Sequence, residues 1–471
     1  MWGHDEEAAV CNPLAVCGLW LVDGHLLGLH LPDGVAALET LPARGKEGDM
    51  GAAQLPSREG EPELRGGVLA SFLAEHGLAP TGDPATLSKR AWKLQQALAT
   101  NQELLPADLA PIGRREALQM LLEVADVFCV DIEDLRTPAK GEPFEINTGD
   151  APPIKQRPYR LGEKEQQFLD KTIASQMRGG IVKCSRSPWA SPVFVTYARA
   201  LNSGKPPKPR KVIDYRRLNA ITVSDAYPLP DIPLTLEWLA QYKYMGAIDL
   251  KSGYWQKEVH QQDQKKTAFV TPRSVLEYCR VPFGLKNAPA YFQREINKML
   301  TTEDQVHARG FIDDLLTGGS DWAEYLRNQR SLLEACRRHG WMVTVSKVRL
   351  GYESICVLGH KVHHGLVMPD PDKIAAIKGL KAPSNIREVR AVLGLMGYYR
   401  RFIKDYAQHA KPLTQLLGKD SEWRWGQSQQ EALDTLKERL GAAVMLTRPQ
   451  SSGRYRLYTD WSKDALGACL H

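Results

Sequence analysis

Acidic residues at the tips of two apolar stretches most constrain the fold of this chain. Asp249 follows the largely apolar run at residues 244–248, and Asp313-Asp314 lies between Phe311-Ile312 and Leu315-Leu316. An Asp-Asp pair alone usually marks a solvated turn. Here the apolar flanks predict buried strands that expose charge at their tip, where bound cations would compensate the cost of burying carboxylates. The pattern predicts an acidic hairpin beside a second acidic strand, which together can hold two divalent ions.

Local patterns predict further elements around these acids. Thr317-Gly318-Gly319 supplies bend-forming residue types, so we expect bend residues of the hairpin there. Val193-Phe194-Val195 is typical of a strand. Apolar residues also recur at helical spacing, which predicts helices over residues 163–177, after Pro289, over residues 322–338 and from Asn385. The alternation of strands and helices around the acids fits a split β-α-β unit of mixed α+β class.

Four motifs resemble those of a known family. They are residues 211–219 (KVIDYRRLN), 247–254 (AIDLKSGY), 281–293 (VPFGLKNAPAYFQ) and 357–360 (VLGH). In order and approximate spacing they resemble the reverse transcriptases of long-terminal-repeat retrotransposons, most closely the gypsy type. The resemblance runs from about residue 145 to the end of the chain.

The resemblance implies an α+β right-hand polymerase with fingers, palm and thumb, followed by a truncated α/β start of a ribonuclease H-like domain. The expected domains are an N-terminal extension and linker without an assigned function, fingers and palm, thumb, and the truncated ribonuclease H-like segment, at residues 1–140, 141–361, 362–421 and 422–471.

The resemblance also implies a metal site. Asp249 and Asp313 would bridge two Mg²⁺ ions, or Mn²⁺, because hard cations prefer oxygen ligands. We expect Asp314 to be the more peripheral ligand, since successive side chains of an extended hairpin point to opposite faces. The main-chain carbonyl of Leu250 is expected to add a contact.

Further residues match the family's substrate-binding positions. Tyr254 would lie under the sugar of the incoming nucleotide and select deoxynucleotides; the alternative is an ordinary core tyrosine. Arg210 would bind the triphosphate, since its planar donors suit phosphate oxygens. Phe283-Gly284 and Lys286 would line the nucleotide and template pocket. The remaining matches would face the template-primer: Gln293 on the template side, and Leu358, Gly359 and His360 as a primer grip.

Net charge suits a polyanionic partner. The formal charge is +6, but residues 1–140 hold 11 Lys/Arg against 21 Asp/Glu, which leaves the remainder strongly basic. The expected partners are an RNA or DNA template-primer and deoxynucleoside triphosphates. No membrane span is expected, and the oligomeric state is left open. Eight cysteines without zinc-type spacing indicate reduced, intracellular thiols. The expected location is a cytoplasmic particle or the nucleus.

The C-terminal residues resemble the first strands of a ribonuclease H domain. Asp460 would be its first metal ligand, and the printed chain ends at His471, before further carboxylates of such a site. One Asp cannot hold two ions. The expectation is therefore an incomplete site without ribonuclease H activity, and residues after about Glu422 that are poorly ordered or aggregation-prone.

The sequence favours an active RNA-directed DNA polymerase that extends a primer by two-metal nucleotidyl transfer. The alternative from another class is a catalytically decayed or repurposed copy that binds nucleic acid. An altered fingertip at residues 206–209 and Arg309, in a strand that is continuously apolar in the family, favour that alternative. A third hypothesis, an RNA-dependent RNA polymerase, is disfavoured by the aromatic ring of Tyr254.

Overall fold

The structure is a computed structural model of the 471-residue chain. It describes residues 20–22, 25–27, 97–98, 100–130, 132–197, 208–301, 303–418, 422–442, 446–447, 456–461 and 466–470. Residues 198–207 lie outside the described residues, and with them Pro206-Pro207 of the predicted departure from the family pattern; its other half, Lys208-Pro209, is described.

Within these ranges the chain alternates strands and helices. The helices are α1 Pro111–Glu123, α2 Glu163–Arg178, α3 Arg216–Ile221, α4 Ile232–Leu239, α5 Ala288–Met299, α6 Asp304–His307, α7 Trp322–His339, α8 Pro371–Lys378, α9 Ile386–Tyr398, α10 Tyr406–Gln415 and α11 Gln427–Gly441. The strands are β1 Trp20–Val22, β2 His25–Leu27, β3 Phe128–Cys129, β4 Val182–Cys184, β5 Ser191–Tyr197, β6 Pro209–Ile213, β7 Tyr244–Asp249, β8 Phe269–Val270, β9 Val275–Tyr278, β10 Ala308–Phe311, β11 Asp314–Gly319, β12 Val343–Thr344, β13 Arg349–Tyr352, β14 Ser354–Val357, β15 His360–His363, β16 Leu366–Pro369, β17 Leu446–Thr447, β18 Leu457–Trp461 and β19 Leu466–Leu470.

The palm is the sheet β10-β11-β7-β13, with β7 antiparallel to both β11 and β13. One face packs against helices α5 and α7, and the other packs against a second buried core, to which helices α8 to α11 contribute. Arg309, on the outermost strand β10, is exposed, and its guanidinium lies 5.1 Å from the ring centre of Trp238. The Arg309 charge therefore faces solvent and is not buried in the strand. The predicted helices after Pro289 and over residues 322–338 are confirmed as α5 and α7.

The predicted bend at Thr317-Gly318-Gly319 is wrong, because these residues lie inside strand β11. A Cβ on Gly319 would lie 2.5 Å from the Cα of Tyr325 in α7, so the helix backbone approaches the strand too closely for a side chain. A Cβ on Gly318 would meet the ring of Tyr242. The glycines serve close packing, and the chain reverses instead at Ile312-Asp313.

The fingers contain the sheet β4-β9-β8-β5-β6 and helix α2. Helix α2 confirms the prediction for residues 163–177. It begins where the Glu165 carboxylate accepts the Gly162 amide at 3.0 Å. It ends before Gly179 and Gly180. Strand β5 confirms the predicted strand at residues 193–195.

Helices α8 to α11 and the sheet β14-β15-β16-β17 share one buried core, called here the thumb core, although α11 lies in the segment expected to be ribonuclease H-like. Asn385 caps α9, as predicted, by accepting the Glu388 amide at 3.0 Å. The predicted poor order after Glu422 does not hold for residues 427–441. They form helix α11, whose Leu433 and Leu436 are fully buried in the thumb core.

The main core crosses the domain boundary predicted at residue 140. Residues 101–129, called here the N-terminal arm, contribute Leu104, Leu118 and Phe128 to the same buried cluster as the palm. Glu123 pairs with Arg330 on helix α7. The arm is therefore packed against the back of the palm. None of the helices in the described part of the chain has the length and apolar character that a bilayer crossing needs.

Candidate active site

The three predicted carboxylates lie at one end of the palm sheet. Asp314 opens β11 directly opposite Asp249, the last residue of β7. Phe311 pairs with Asp314 across the hairpin, which leaves Ile312-Asp313 as its two-residue turn. The amide of Leu250 donates to the Asp313 carbonyl at 2.9 Å and ties the turn to β7. Asp314 was ranked as the more peripheral ligand because successive side chains of a strand point to opposite faces. Asp313 lies in the turn and not in a strand, so this reason does not apply to it, and the peripheral role of Asp314 stays a prediction.

The turn has a strained backbone that one buried side chain holds in place. Ile312 has φ +52°, a left-handed conformation that a β-branched residue rarely adopts. Gln293 on α5 accepts the Ile312 amide at 2.8 Å through Oε1 and donates through Nε2 to the Gly310 carbonyl at 2.9 Å. Its side chain is fully buried. The prediction that Gln293 faces the template strand is therefore wrong for this structure, because its buried side chain holds the acidic turn instead.

Asp249 is held by two side chains from the segment that follows α7. Lys347 Nζ lies 3.0 Å from Asp249 Oδ1, and Thr344 Oγ1 donates to Asp249 Oδ2 at 2.9 Å. The Lys347 ammonium shows that a cation can reach this carboxylate.

The carboxylates have donor chemistry that suits Mg²⁺, which takes oxygen ligands. Asp249 and Asp314 lie opposite each other on neighbouring strands. Among the described residues, however, no group of three or more His, Cys, Asp or Glu side chains is arranged ready to hold a metal. The donor set fits a divalent cation, while the cation next to Asp249 in this structure is Lys347.

Tyr254 lies beside the acidic turn in the 3₁₀ helix Gly253–Gln256. Its ring packs edge-on against Phe283 and Phe292, with centroids 5.1 and 5.2 Å away. Burial, reinforced by the charge of Asp313, raises the pKa of Tyr254. A Cβ on Gly253 would lie 2.0 Å from Asp313 Oδ1, so this glycine lets the acid approach. Tyr254 thus belongs to the core and also lies next to the site.

The predicted triphosphate and pocket residues lie on other elements. Arg210 is half-buried on β6, opposite Thr196 of β5. Gly284 has φ +94°, and its carbonyl accepts from the Asn219 side chain at 2.8 Å. Lys286 is exposed, and its Nζ donates to the Thr222 carbonyl at 2.9 Å. The loop carrying Gly284 and Lys286 is thereby bound to helix α3 and the residue after it.

Leu358-Gly359 forms the two-residue turn between β14 and β15. Both residues have left-handed backbones, with φ +47° and +68°. The Tyr398 hydroxyl donates to the Leu358 carbonyl at 2.7 Å, and the Tyr399 hydroxyl donates to the Gly359 carbonyl at 2.8 Å. The predicted primer-grip turn is thus hydrogen-bonded to the end of the thumb helix α9.

His360, the third predicted grip residue, points into the protein. It is 3% exposed and lies among the rings of Tyr398, Tyr399 and Phe402. Its Nδ1 donates to the Leu358 carbonyl at 2.9 Å. Burial lowers the pKa of His360 to about 4, so the imidazole is neutral at pH 7. His360 supports the turn from behind.

Asp460 lies on β18, opposite Gly467 on β19, as expected for paired strands. Its side chain lies outside the described residues. Sequence patterns missed Thr344 and Lys347, which contact Asp249 across 95 and 98 residues of chain. They also missed Tyr398 and Tyr399, whose hydroxyls donate to the predicted grip turn. Such contacts carry no local sequence signal.

Comparisons with known proteins agree with this geometry. The family described as "Reverse transcriptase (RNA-dependent DNA polymerase)" matches residues 202–362, and the family "RNase H-like domain found in reverse transcriptase" matches residues 425–471. The retrovirus-related Pol polyproteins from the Drosophila melanogaster transposons opus and gypsy are similar, with 33% and 32% identity over 76% and 69% of this chain.

The chain spans about a third of the length of these relatives, 37% of the opus and 33% of the gypsy polyprotein. The fold is that of the foamy viral protease-reverse transcriptase solved in complex with double-stranded DNA, with a TM-score of 0.69 and 19% identity over 83% of this chain and 67% of that chain. The palm sheet, the position of its acids and these matches lead to one conclusion. The chain belongs to the reverse transcriptases of gypsy-type retrotransposon Pol polyproteins, with an RNase H-like segment at its C-terminus.

Proposed function

We propose that this chain is an active RNA-directed DNA polymerase that extends a primer on an RNA or DNA template. One observation carries the proposal: Asp314 lies directly opposite Asp249, and Asp313 occupies the adjoining turn. Two acidic strand ends and an acidic turn at one edge of a sheet suit phosphoryl transfer, which depends on charge neutralisation and positioning.

Asp249, Asp313 and Asp314 would hold the two Mg²⁺ ions, or Mn²⁺, with the Leu250 carbonyl as an additional oxygen. Bound there, the ions would lower the pKa of a primer 3′-hydroxyl and neutralise charge on the leaving pyrophosphate. The chain's own part is to hold the carboxylates in place. Gln293 fixes the turn through two main-chain hydrogen bonds.

The remaining site residues would bind and select the nucleotide. The Tyr254 ring, fixed between Phe283 and Phe292, would exclude a 2′-hydroxyl. Arg210 would bind the triphosphate, since a guanidinium suits phosphate oxygens. The Gly284 backbone and Lys286 would line the same pocket.

The template-primer would lie along the basic body of the chain. The formal net charge of +6 combines an acidic N-terminal region with a basic remainder, which suits phosphate backbones. The foamy viral enzyme of similar fold was solved with double-stranded DNA. The turn at Leu358-Gly359 would support the primer. The intracellular location, in a cytoplasmic particle or the nucleus, stays a prediction.

A catalytically decayed or repurposed copy is the second candidate. Two features favoured this candidate. Arg309 no longer supports it, because its side chain faces solvent. Of the altered fingertip at residues 206–209, the first two residues lie outside the described part of the chain. The predicted lack of ribonuclease H activity stays a prediction, tested by incubating a labelled RNA–DNA hybrid with the wild type and with Asp460→Asn.

Primer extension on a ribonucleotide template with Mg²⁺ or Mn²⁺ tests the proposal. Asp313→Asn should abolish extension while template-primer affinity stays within a few fold, because a metal ligand is lost and the phosphate contacts remain. Asp150→Asn is the matched control, since Asp150 is exposed in a turn, and it should extend normally. Normal extension by Asp313→Asn would refute the site, and a wild type that binds template-primer without extending it would favour the decayed copy.

A further inference from the structure

Thr344 and Lys347, which contact Asp249, lie on one short stretch, residues 343–348, called here the support segment. It comprises β12, the 3₁₀ turn Val345–Lys347 and Val348. Its entry is fixed by the palm: Gln256 donates to the Met342 carbonyl at 2.8 Å and accepts the Met342 amide at 2.6 Å. Val343 also bridges to Leu250 of the palm, and the other side of the segment packs against a different part of the chain.

The N-terminal arm packs there. Strand β3 runs parallel to β12, with Cys129 opposite Thr344. Just past the support segment, the Leu350 amide donates to the Leu104 carbonyl at 2.9 Å. The arm therefore borders the support segment along its length, although it lies outside the range matched by the reverse transcriptase family.

Asn101 makes the central contact between the two. Its Nδ2 donates to the carbonyls of Val345 and Val348 at 3.0 and 2.9 Å. Its Oδ1 accepts the Glu103 amide at 3.1 Å, which fixes the orientation of the side-chain amide. Both N–H groups thus clamp the two ends of the turn that carries Lys347.

We propose that Asn101 is a positioning residue for Asp249, and that the N-terminal arm sets this carboxylate in place through the support segment. A shift of the clamped carbonyls moves Thr344 and Lys347, and the Asp249 carboxylate turns with them. Displacements of this kind matter because catalytic groups must be held to within a fraction of an ångström. The inference rests on the proposed polymerase function.

Asn101→Asp in the full chain is the test, because it keeps the shape and replaces both donors with oxygen facing two carbonyls. Asn101→Ala is the milder second variant. Hydrogen–deuterium exchange of the metal-free protein should quicken over the support segment in both. Single-turnover extension should slow about tenfold, while the burst amplitude and the template-primer Kd stay within twofold. A purely structural role would lower the amplitude and leave the rate per active molecule unchanged.

Glu116→Ala is the matched control. The Trp322 Nε1 donates to the Glu116 carboxylate at 2.9 Å, so this variant loosens the same arm at helix α1, away from Asn101 and the support segment. It should match the wild type in exchange over that segment and in rate. Equal losses in Glu116→Ala, or an unchanged rate or exchange in both Asn101 variants, would overturn the inference. If the wild type extends no primer, the proposed function is wrong. Hydrogen–deuterium exchange then still tests the clamp, because unchanged exchange over the support segment in both Asn101 variants would reject it.

Discussion

The buried His360 predicts a measurable loss of stability at mildly acidic pH. Its imidazole is surrounded by aromatic rings, and burial lowers its pKa to about 4 from an ordinary 6.5. In the unfolded chain the group takes up a proton near pH 6.5, whereas in the folded chain it resists until about pH 4. The unfolded state therefore binds more protons between these values, and the free energy of unfolding falls as the pH drops through this window.

The size of the effect follows from the two pKa values. At pH 5.5 the unfolded chain gains about 1 kcal/mol from protonating this histidine, and the folded chain gains almost nothing. Below pH 4 the loss approaches about 3 kcal/mol and then levels off. Above pH 7 the contribution is fully present, because the imidazole is neutral in both states.

Urea unfolding at pH 7.5 and pH 5.5, compared between wild type and His360→Phe, measures this contribution. The phenylalanine keeps an aromatic ring in the cluster and cannot titrate. The wild type should lose about 1 kcal/mol more than the variant between the two pH values, since other titrating groups cancel in the comparison. His364→Gln, which removes an exposed histidine from the turn after β15, should follow the wild type. Equal losses in wild type and His360→Phe would show that the imidazole is not held neutral by burial.

Three further substitutions have defined outcomes. Gly253→Ala should slow single-turnover extension by about 100-fold, because its Cβ would lie 2.0 Å from a carboxylate oxygen of the acidic turn. The control Gly397→Ala, whose Cβ would meet no atom closer than 3.6 Å, should extend normally. Equal rates in the two variants would refute the crowding argument. Lys257→Met should lower the unfolding free energy by about 3 kcal/mol, because the ion pair of Lys257 with Glu295, at 2.7 Å, is almost fully buried. Lys183 is half-exposed in its ion pair with Glu277, so Lys183→Met should cost less than about 1 kcal/mol; similar losses of the two variants in urea unfolding would contradict this. Tyr254→Val should admit ribonucleotides roughly tenfold better, and Tyr254→Phe should not. Competition between deoxy- and ribonucleotides measures this preference. An unchanged preference in Tyr254→Val would show that the ring has only a core role.

The sequence predicted the palm well because its signals are local. An apolar run that ends in Asp249 and an Asp pair between apolar flanks specify strand ends without reference to distant residues. The helices over residues 163–177 and 322–338 were predictable for the same reason, since their caps and apolar spacing are local. The observed elements agree with these predictions.

The errors came from contacts between residues far apart in the chain. Glycines in Gly318-Gly319 have the composition of a bend, yet helix α7 packs so closely that the strand needs residues without side chains. Gln293 follows the family motif and lies on the expected helix, but its depth is set by the hairpin that it binds 17 and 19 residues away. Burial of a polar side chain depends on its partners, and the partners are known only once the chain is folded.

Two tyrosines connect the predicted primer-grip turn to the thumb helix α9. Tyr398 and Tyr399 end helix α9 and hydrogen-bond to consecutive carbonyls of the Leu358-Gly359 turn. These two hydrogen bonds tie the turn to the end of the helix, so we expect the turn and the helix to move together and a hinge of the thumb to lie elsewhere in the chain. Under the proposed function, a bound duplex that displaces the helix would therefore displace the turn as well.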